Sequence, residues 1–262
     1  MGFPALDAPT PTLAPPVAPT ELPLVGFDIE TDTTHGGLDP ETSSVVAAAI
    51  APHVAPARLA GSTPEQRPLP TANTACEGAG FLEPEVFLGD EADLLEHVDQ
   101  RIAALGPAIL VTWNGARFDL PFVAHRAAVL GIEIGLRLGG DAGSGEHGGP
   151  ARWRWHQMVH LDGYRLYRGD VGRTFGLSCA LKSLARLTGI RAVELDRSRL
   201  HTFSEAEVTE YVASDARVAV ELVLRRLPTA LWAADWAAMR RQPGFGPPET
   251  LWQSGFTRTA RD

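Results

Sequence analysis

Two carboxylates alternate along an apolar stretch near the start of the chain. Residues 22–30 predict a strand, in which successive side chains point to opposite faces, so Asp28 and Glu30 share one face with Gly26. Asp is disfavoured in strands, and two acids on one face repel each other unless water or a cation separates them. The pair therefore indicates a cation site, although a half-exposed edge strand is also compatible with an isolated Asp-x-Glu pattern.

A third acid follows another apolar stretch. Residues 108–113 predict a strand, and Pro121 predicts the start of the next helix, with Asn114 and Asp119 in the loop between them. An Asp shortly before Pro often caps a helix, which is one role open to Asp119. Sites in open α/β sheets form beyond the strand ends, so the same residue would also lie at the mouth of a crevice. The two roles are compatible.

The fourth acid interrupts the apolar face of a helix. Residues 204–227 predict a helix that begins with a capping box formed by Ser204 and Glu207. Asp215 falls within the apolar stripe of this helix, and Tyr211 lies one turn earlier on the same face. An unpaired buried carboxylate is costly, so Asp215 requires either an arginine or a metal ion nearby.

Carboxylates at these four positions favour hard divalent cations, Mg²⁺ or Mn²⁺, which take oxygen ligands. Zinc would require His or Cys, and the eight histidines show no His-Glu-x-x-His or comparable spacing. We expect His156 and His160 to have surface or core roles. Cys76 and Cys179 lie far apart in the chain and predict neither a disulfide nor a zinc site.

These residues, in this order, resemble the DEDD superfamily of 3′-5′ exonucleases, and specifically its tyrosine branch, as found in the proofreading domains of family B DNA polymerases. The resemblance rests on three short motifs: FDIET at 27–31, NGARFDLP at 114–121 and YVASD at 211–215. The histidine branch would have His five residues before the last Asp, where this chain has Glu210. The resemblance spans about residues 22–227.

The resemblance implies an RNase H-like fold, a mixed five-stranded sheet flanked by helices, and a two-metal mechanism. The resemblance implies that Asp28 would contribute to both metal sites and that Glu30 and Asp215 would hold the metal that carries the attacking water. Asp119 supports the second metal, and Tyr211 orients the water. The resemblance also implies a pocket for the terminal nucleotide, lined by Thr31, Asn114 and Phe118. Asp162, in the stretch HLDGY, is expected to support the site or form a turn.

The chain predicts one catalytic domain between two less ordered ends. Residues 1–20 are rich in Pro, Ala and Thr and predict a disordered leader, residues 21–242 the exonuclease domain, and residues 243–262 a tail. The remaining expected elements are strands at 45–52, 85–88 and 159–164, helices at 91–105, 177–188 and 229–240, and a Gly-rich loop at 139–149.

Charge is segregated along the sequence. The net charge of -9 argues against coating of duplex DNA by bulk electrostatics. Residues 151–200, however, hold ten basic and four acidic side chains, a local charge of +6. Within them, residues 152–156 (RWRWH) interleave basic and aromatic groups. This pattern fits tracking of a single strand and, equally, a sheet face with buried tryptophans and outward arginines.

The sequence therefore predicts a metal-dependent 3′-5′ exonuclease that acts on single-stranded nucleic acid, with DNA favoured over RNA. The alternative is a catalytically silent nucleic-acid-binding module on the same fold, because a fold alone does not confer activity. An RNase H-like endonuclease is disfavoured by the tyrosine motif. No apolar stretch approaches the roughly 18 residues of a membrane span, and the first residues lack a basic secretory start, so we expect a soluble cytoplasmic protein.

Overall fold

The computed structural model describes residues 23–32, 34, 38–54, 80–139 and 152–240. Residues 21–226 form one compact unit, and the described part of the chain from Leu227 onwards belongs to another. The expected leader and the tail at 243–262 lie outside the described residues, as does nearly all of the Gly-rich loop. Within the described part of the chain, no helix is long and apolar enough to cross a membrane.

A mixed sheet forms the centre of the unit at 21–226. Its eight strands, among the described residues, are β1 (Leu24–Thr31), β2 (Val45–Val54), β3 (Gly80–Phe81), β4 (Glu85–Leu88), β5 (Ile109–Thr112), β6 (Leu136–Gly139), β7 (Arg152–Trp155) and β8 (Met158–Asp162). The order is β3-β2-β1-β5-β8-β7-β6, with β4 also paired to β2. β1 runs antiparallel to β2 and parallel to β5, which is parallel to β8. The mixed sheet confirms the expected fold class.

The sheet has more strands than the five expected. β2 is long enough to pair with two short strands, β3 and β4, along one edge. At the other edge the β6–β7 pair extends the sheet beyond β8 through antiparallel ladders. Of these short strands, β4 lies where a strand was expected at 85–88, whereas β3 and β6 escaped prediction, because segments of two to four residues carry too little alternation to reveal a period.

Six α-helices accompany the sheet in the described residues. They are α1 (Glu91–Leu105), α2 (Asp119–Leu130), α3 (Gly163–Tyr167), α4 (Arg173–Phe175), α5 (Leu181–Thr188) and α6 (Glu205–Arg240), with a π-helical turn at Arg168–Gly172 and a 3₁₀ segment at Arg197–Thr202. The sequence placed the start of α2 at Pro121, two residues late, because Pro is tolerated throughout the first helical turn. It also divided α6 into two helices at Pro228, which does not end the helix.

The helices cover both faces of the sheet. Side chains of Phe27 and Ile29 on β1 join a core with α1 and α2. On the opposite face, three alanines of β2 pack against α6. Gly26 permits this packing, because a Cβ at Gly26 would lie 2.2 Å from the carbonyl oxygen of Ala216. α6 therefore crosses directly over β1 on the face that carries Asp28 and Glu30.

The basic and aromatic segment at 152–156 is part of this sheet. Trp155 is fully buried, and its indole Nε1 donates a hydrogen bond of 2.7 Å to Asp99 Oδ1. The Nε1 of the half-buried Trp153 donates to the carbonyl oxygen of Ala116 at 3.3 Å. Arg154, between them, is exposed. Of the two interpretations left open by the sequence, the structure supports the sheet face with buried tryptophans.

Candidate active site

Three of the four predicted acids meet where α6 crosses β1. Asp28 and Glu30 lie on the α6 side of β1, and Asp215 lies on α6 opposite them. Carboxylate oxygens from the three residues lie within 4.8 Å of one another. Glu30 and Asp215 are buried, whereas Asp28 is partly open. These three carboxylates could together hold a cation.

The fourth acid, Asp119, lies beside these three. It is the first residue of α2, and the capping position belongs to Phe118, whose side chain cannot accept a hydrogen bond. The expected cap at Asp119 is therefore wrong. The turn before α2 closes tightly over this acid, because a Cβ at Gly115 would lie 2.8 Å from Asp119 Oδ2. Asp119 is close enough to Asp28 that its charge raises the pKa of Asp28.

Burial and mutual repulsion make these acids reluctant to ionise. The pKa of Asp28 is raised well above its usual value, first by burial and then by the charges of Asp119 and Glu30. Burial likewise raises the pKa of Glu30, and it raises the pKa of Asp119 to about 7. A nearby positive charge would offset this cost.

Two basic residues, neither predicted from the sequence, supply part of that charge. Lys182 of α5 donates hydrogen bonds to Asp215 Oδ1 and, at 2.5 Å, to the carbonyl oxygen of Val193. In the 3₁₀ segment, Arg197 Nη2 lies 3.3 Å from Glu30 Oε2. Burial lowers the pKa of Lys182 to about 8, although the charges of neighbouring acids act to raise it. The partner of Asp215 is thus a lysine rather than the arginine considered above.

One feature of the sequence could have drawn attention to Lys182, which is the only lysine in the chain. Arg197 left none, because arginine is abundant and the contact with Glu30 joins residues far apart in sequence.

Tyr211 faces the same space from α6. Its side chain is buried, and the Lys182 ammonium lies 4.5 Å from its ring centroid. Burial, followed by the charge of Glu30, raises the pKa of the Tyr211 hydroxyl well above its usual value of about 10. The hydroxyl therefore stays protonated at neutral pH and is available as a hydrogen-bond donor.

The residues expected to line a nucleotide pocket lie around this cluster. Thr31 is buried at the end of β1. Asn114 adopts a left-handed conformation (φ 67°) after β5, and its N–H donates to Asp162 Oδ1 at 2.9 Å. Phe118 is half-buried, with its ring centroid 5.5 Å from that of Phe122. Asp162 also accepts from the N–H of Tyr164 at the start of α3, the turn role that was expected.

The two histidines considered in the sequence analysis, His156 and His160, each contact another side chain of the protein. His160 Nε2 lies 2.8 Å from Thr112 Oγ1, and burial lowers the pKa of His160 to about 4. His156 occupies the β7–β8 turn, with Nε2 3.0 Å from Asp99 Oδ1.

A family model described as the exonuclease domain of DNA polymerase family B matches residues 7–171 of the chain. This range contains Asp28, Glu30 and Asp119 and ends before α6.

Relatives extend the similarity. DNA polymerase 1 of Aeropyrum pernix is 29% identical over 223 residues, which cover 78% of this chain and 21% of that protein. The catalytic subunit of DNA polymerase epsilon from Candida glabrata is 28% identical over 131 residues, or 48% of this chain and 6% of that protein. The family B DNA polymerase of Pyrobaculum calidifontis has a similar fold, with a TM-score of 0.57 at 18% identity over 81% of this chain and 25% of that one. The matched part of this chain spans a quarter or less of the length of each of these three polymerases.

Proposed function

This chain belongs to the exonuclease-domain family of the family B DNA polymerases, and we propose that it is a 3′-5′ exonuclease that uses two divalent cations, Mg²⁺ or Mn²⁺. It removes nucleotides from the 3′ end of single-stranded nucleic acid, with DNA preferred over RNA. The preference for DNA is supported by the relatives, which are DNA polymerases.

The convergence of Asp28, Glu30 and Asp215 carries this proposal. Their oxygens lie within 4.8 Å of one another although burial raises the pKa of both β1 acids and the charges of Asp119 and Glu30 raise that of Asp28 further. A silent binding module would gain nothing from holding repelling carboxylates together, whereas a cation site requires it.

The donor set fits hard cations. Asp28, Glu30, Asp119 and Asp215 offer only carboxylate oxygens, and the two basic side chains in contact with them, Lys182 and Arg197, leave an excess of negative charge. The four acids would hold the cations. When bound, divalent cations would acidify the attacking water and stabilise the leaving 3′ oxygen.

The remaining side chains would orient the reactants. Tyr211 keeps its proton, so its hydroxyl would position the attacking water by donating a hydrogen bond and would not act as a base. Thr31, Asn114 and Phe118 would contact the terminal nucleotide, because they lie at the end of β1 and in the turn that leads into α2.

Degradation of 5′-labelled oligomers tests the proposed function. With Mg²⁺ or Mn²⁺, we expect single-stranded DNA to give a ladder of products that shorten from the 3′ end, faster than RNA of the same sequence. A circular single strand should stay intact, since it has no 3′ end. Cutting of the circle would instead indicate an endonuclease, and intact linear DNA and RNA at every metal concentration would favour the silent binding module.

A further inference from the structure

The chain between Asp162 and Lys182 begins and ends at the acidic residues. At its start, Asp162 accepts a hydrogen bond of 2.9 Å from the N–H of Asn114, in the turn that leads to Asp119, and at its end Lys182 donates to Asp215. Between these anchors the chain turns outward through α3, the π-helical turn and α4. A strand whose 3′ end reaches the acids therefore has this segment as a neighbour.

The outward part of this segment exposes apolar side chains. Phe175 is 70% exposed and Leu177 is 42% exposed. The backbone holds Phe175 outward, because α4 ends at Gly176 in a left-handed conformation (φ 64°) immediately after it. An exposed aromatic ring of this kind is free to stack against a partner.

Three exposed arginines lie within ten residues of Phe175 in the sequence of this segment. Arg165, Arg168 and Arg173 all lie in this segment and face solvent. Arg165 lies 3.6 Å from Asp162 Oδ2. Among the side chains that the structure describes, no carboxylate lies within ion-pair distance of Arg168 or Arg173. Arg168 instead donates to the hydroxyl of Tyr164 at 2.7 Å.

An exposed aromatic ring in the same segment as solvent-facing arginines has the chemistry that single-stranded nucleic acid requires. Bases stack on aromatic faces irrespective of sequence, while guanidinium groups contact the phosphates between them. Residues 151–200 as a whole carry a local charge of +6 in a chain whose net charge is -9, with Asp170 between Arg168 and Arg173 in sequence. The sequence had suggested such a surface at 152–156, but the tryptophans there are turned into the protein.

We propose that Phe175, Arg168 and Arg173 form a landing surface for the single strand upstream of the nucleotide being removed. Phe175 stacks on a base, and the two arginines contact the adjoining phosphates. This inference rests on the proposed function, since it assigns the surface along which the rest of the bound single strand lies when its 3′ end is at the acids.

Two measurements separate this surface from the acidic site. The first is the affinity for a 12-nucleotide single-stranded DNA, measured by fluorescence anisotropy in a chelator so that no hydrolysis occurs. The second is the rate of hydrolysis of the p-nitrophenyl ester of thymidine 5′-monophosphate with Mn²⁺, a substrate too short to reach Phe175.

Phe175→Ala should weaken binding of the 12-nucleotide strand roughly tenfold and leave hydrolysis of the ester unchanged. Arg173→Gln should lower the slope of log affinity against log salt by about 0.7, the share of one phosphate contact in a single strand. The matched controls are Leu130→Ala, another exposed apolar side chain, and Arg154→Gln, an exposed arginine on β7. Both should bind the strand as the wild type does.

An abasic nucleotide moved stepwise along the strand locates the stacked base. In the wild type, one abasic position should weaken binding, and Phe175→Ala should remove that dependence on position. If Phe175→Ala binds every strand as tightly as the wild type while the wild type hydrolyses the ester, the landing surface is wrong and the proposed function stands. If the wild type hydrolyses neither the ester nor any oligomer, the proposed function fails instead.

Discussion

The ammonium group of Lys182 donates a hydrogen bond to the carboxylate of Asp215, joining α5 to α6 at the centre of the acidic residues. Both side chains are mostly withdrawn from solvent, with 19% and 9% exposed. The pair supplies positive charge where the β1 acids Asp28 and Glu30 face α6. A cation bound at the same acids would serve the same electrostatic purpose, so a metal ion is expected to compensate in part for loss of the Lys182 charge.

Lys182→Met should therefore be most harmful without metal. Loss of one partner of a largely buried ion pair costs about 3–5 kcal/mol of unfolding free energy. We expect this loss in a chelator, and a smaller one with saturating Mg²⁺, which replaces the missing charge. Urea denaturation under both conditions measures it. The control is Arg186→Met, which breaks an exposed pair with Glu194 and should cost less than about 1 kcal/mol. Equal losses in the two variants would contradict this account.

The acids predict an unusual dependence of stability on pH in a chelator. Burial raises the pKa of Asp119 to about 7, so between about pH 4 and pH 7 the folded protein holds a proton that the unfolded chain releases. The unfolding free energy contributed by Asp119 therefore falls as pH rises through this window. Asp119→Asn removes this loss, so the unfolding free energy of the variant should rise relative to that of the wild type between about pH 4 and pH 7. A difference between the two proteins that is constant with pH would rule this out.

Gly26→Ala tests whether close packing of α6 on β1 positions the site. The new Cβ would lie 2.2 Å from Ala216 O, so α6 must shift. Overpacking of this kind costs about 1–3 kcal/mol, and displacement of Asp215 should also lower activity. Gly169→Ala is the control, because it has open space around it. Thermal melting and hydrolysis of a 3′-labelled oligomer measure both effects, and wild-type behaviour of Gly26→Ala would contradict the packing argument.

Much of the framework could be predicted from local patterns. Glu91–Leu105 forms the helix expected there, because its apolar residues have a clear helical period, and Glu85–Leu88 forms the expected strand, which lies between Pro84 and Gly89. The interrupted apolar stripe also identified Asp215 as an acid in need of a partner. Three predicted acids do converge, since alternation on β1 and helical spacing on α6 determine which way their side chains point.

The residues that complete the site could not be predicted, because they act over long separations in sequence. Lys182 reaches Asp215 from another helix, and Arg197 reaches Glu30 from a 3₁₀ segment. The role of Gly26 depends on where α6 crosses the sheet, which no local pattern encodes. The spacing at 152–156 predicts that the two tryptophans share a face of the strand. It does not predict that this face is buried, because the residues that cover it are distant in sequence.

Substitutions of Tyr211 and Asp215 should distinguish orientation of the attacking water from metal binding. Tyr211→Phe removes a hydroxyl and no metal ligand, so we expect the rate to fall about 10²-fold with nearly unchanged metal affinity. Asp215→Asn keeps the side-chain shape but removes the charge, so both rate and affinity should fall. Calorimetric titration with Mn²⁺ alongside single-turnover cleavage distinguishes them. If Tyr211→Phe cleaves at the wild-type rate and Asp215→Asn binds metal normally, α6 has only a structural role.

The central claim, that the acids at the crossing of α6 and β1 hold the cations that drive 3′-end hydrolysis, is tested most directly with Asp28→Asn. The measurement is the single-turnover rate of shortening of a 5′-labelled DNA oligomer as Mn²⁺ is titrated into the wild type and the variant, with thermal melting as a check on folding. We expect the wild type to shorten the strand one nucleotide at a time with saturable dependence on Mn²⁺, and the folded variant to leave it intact. Equal rates and equal Mn²⁺ dependence in the two proteins would contradict the account.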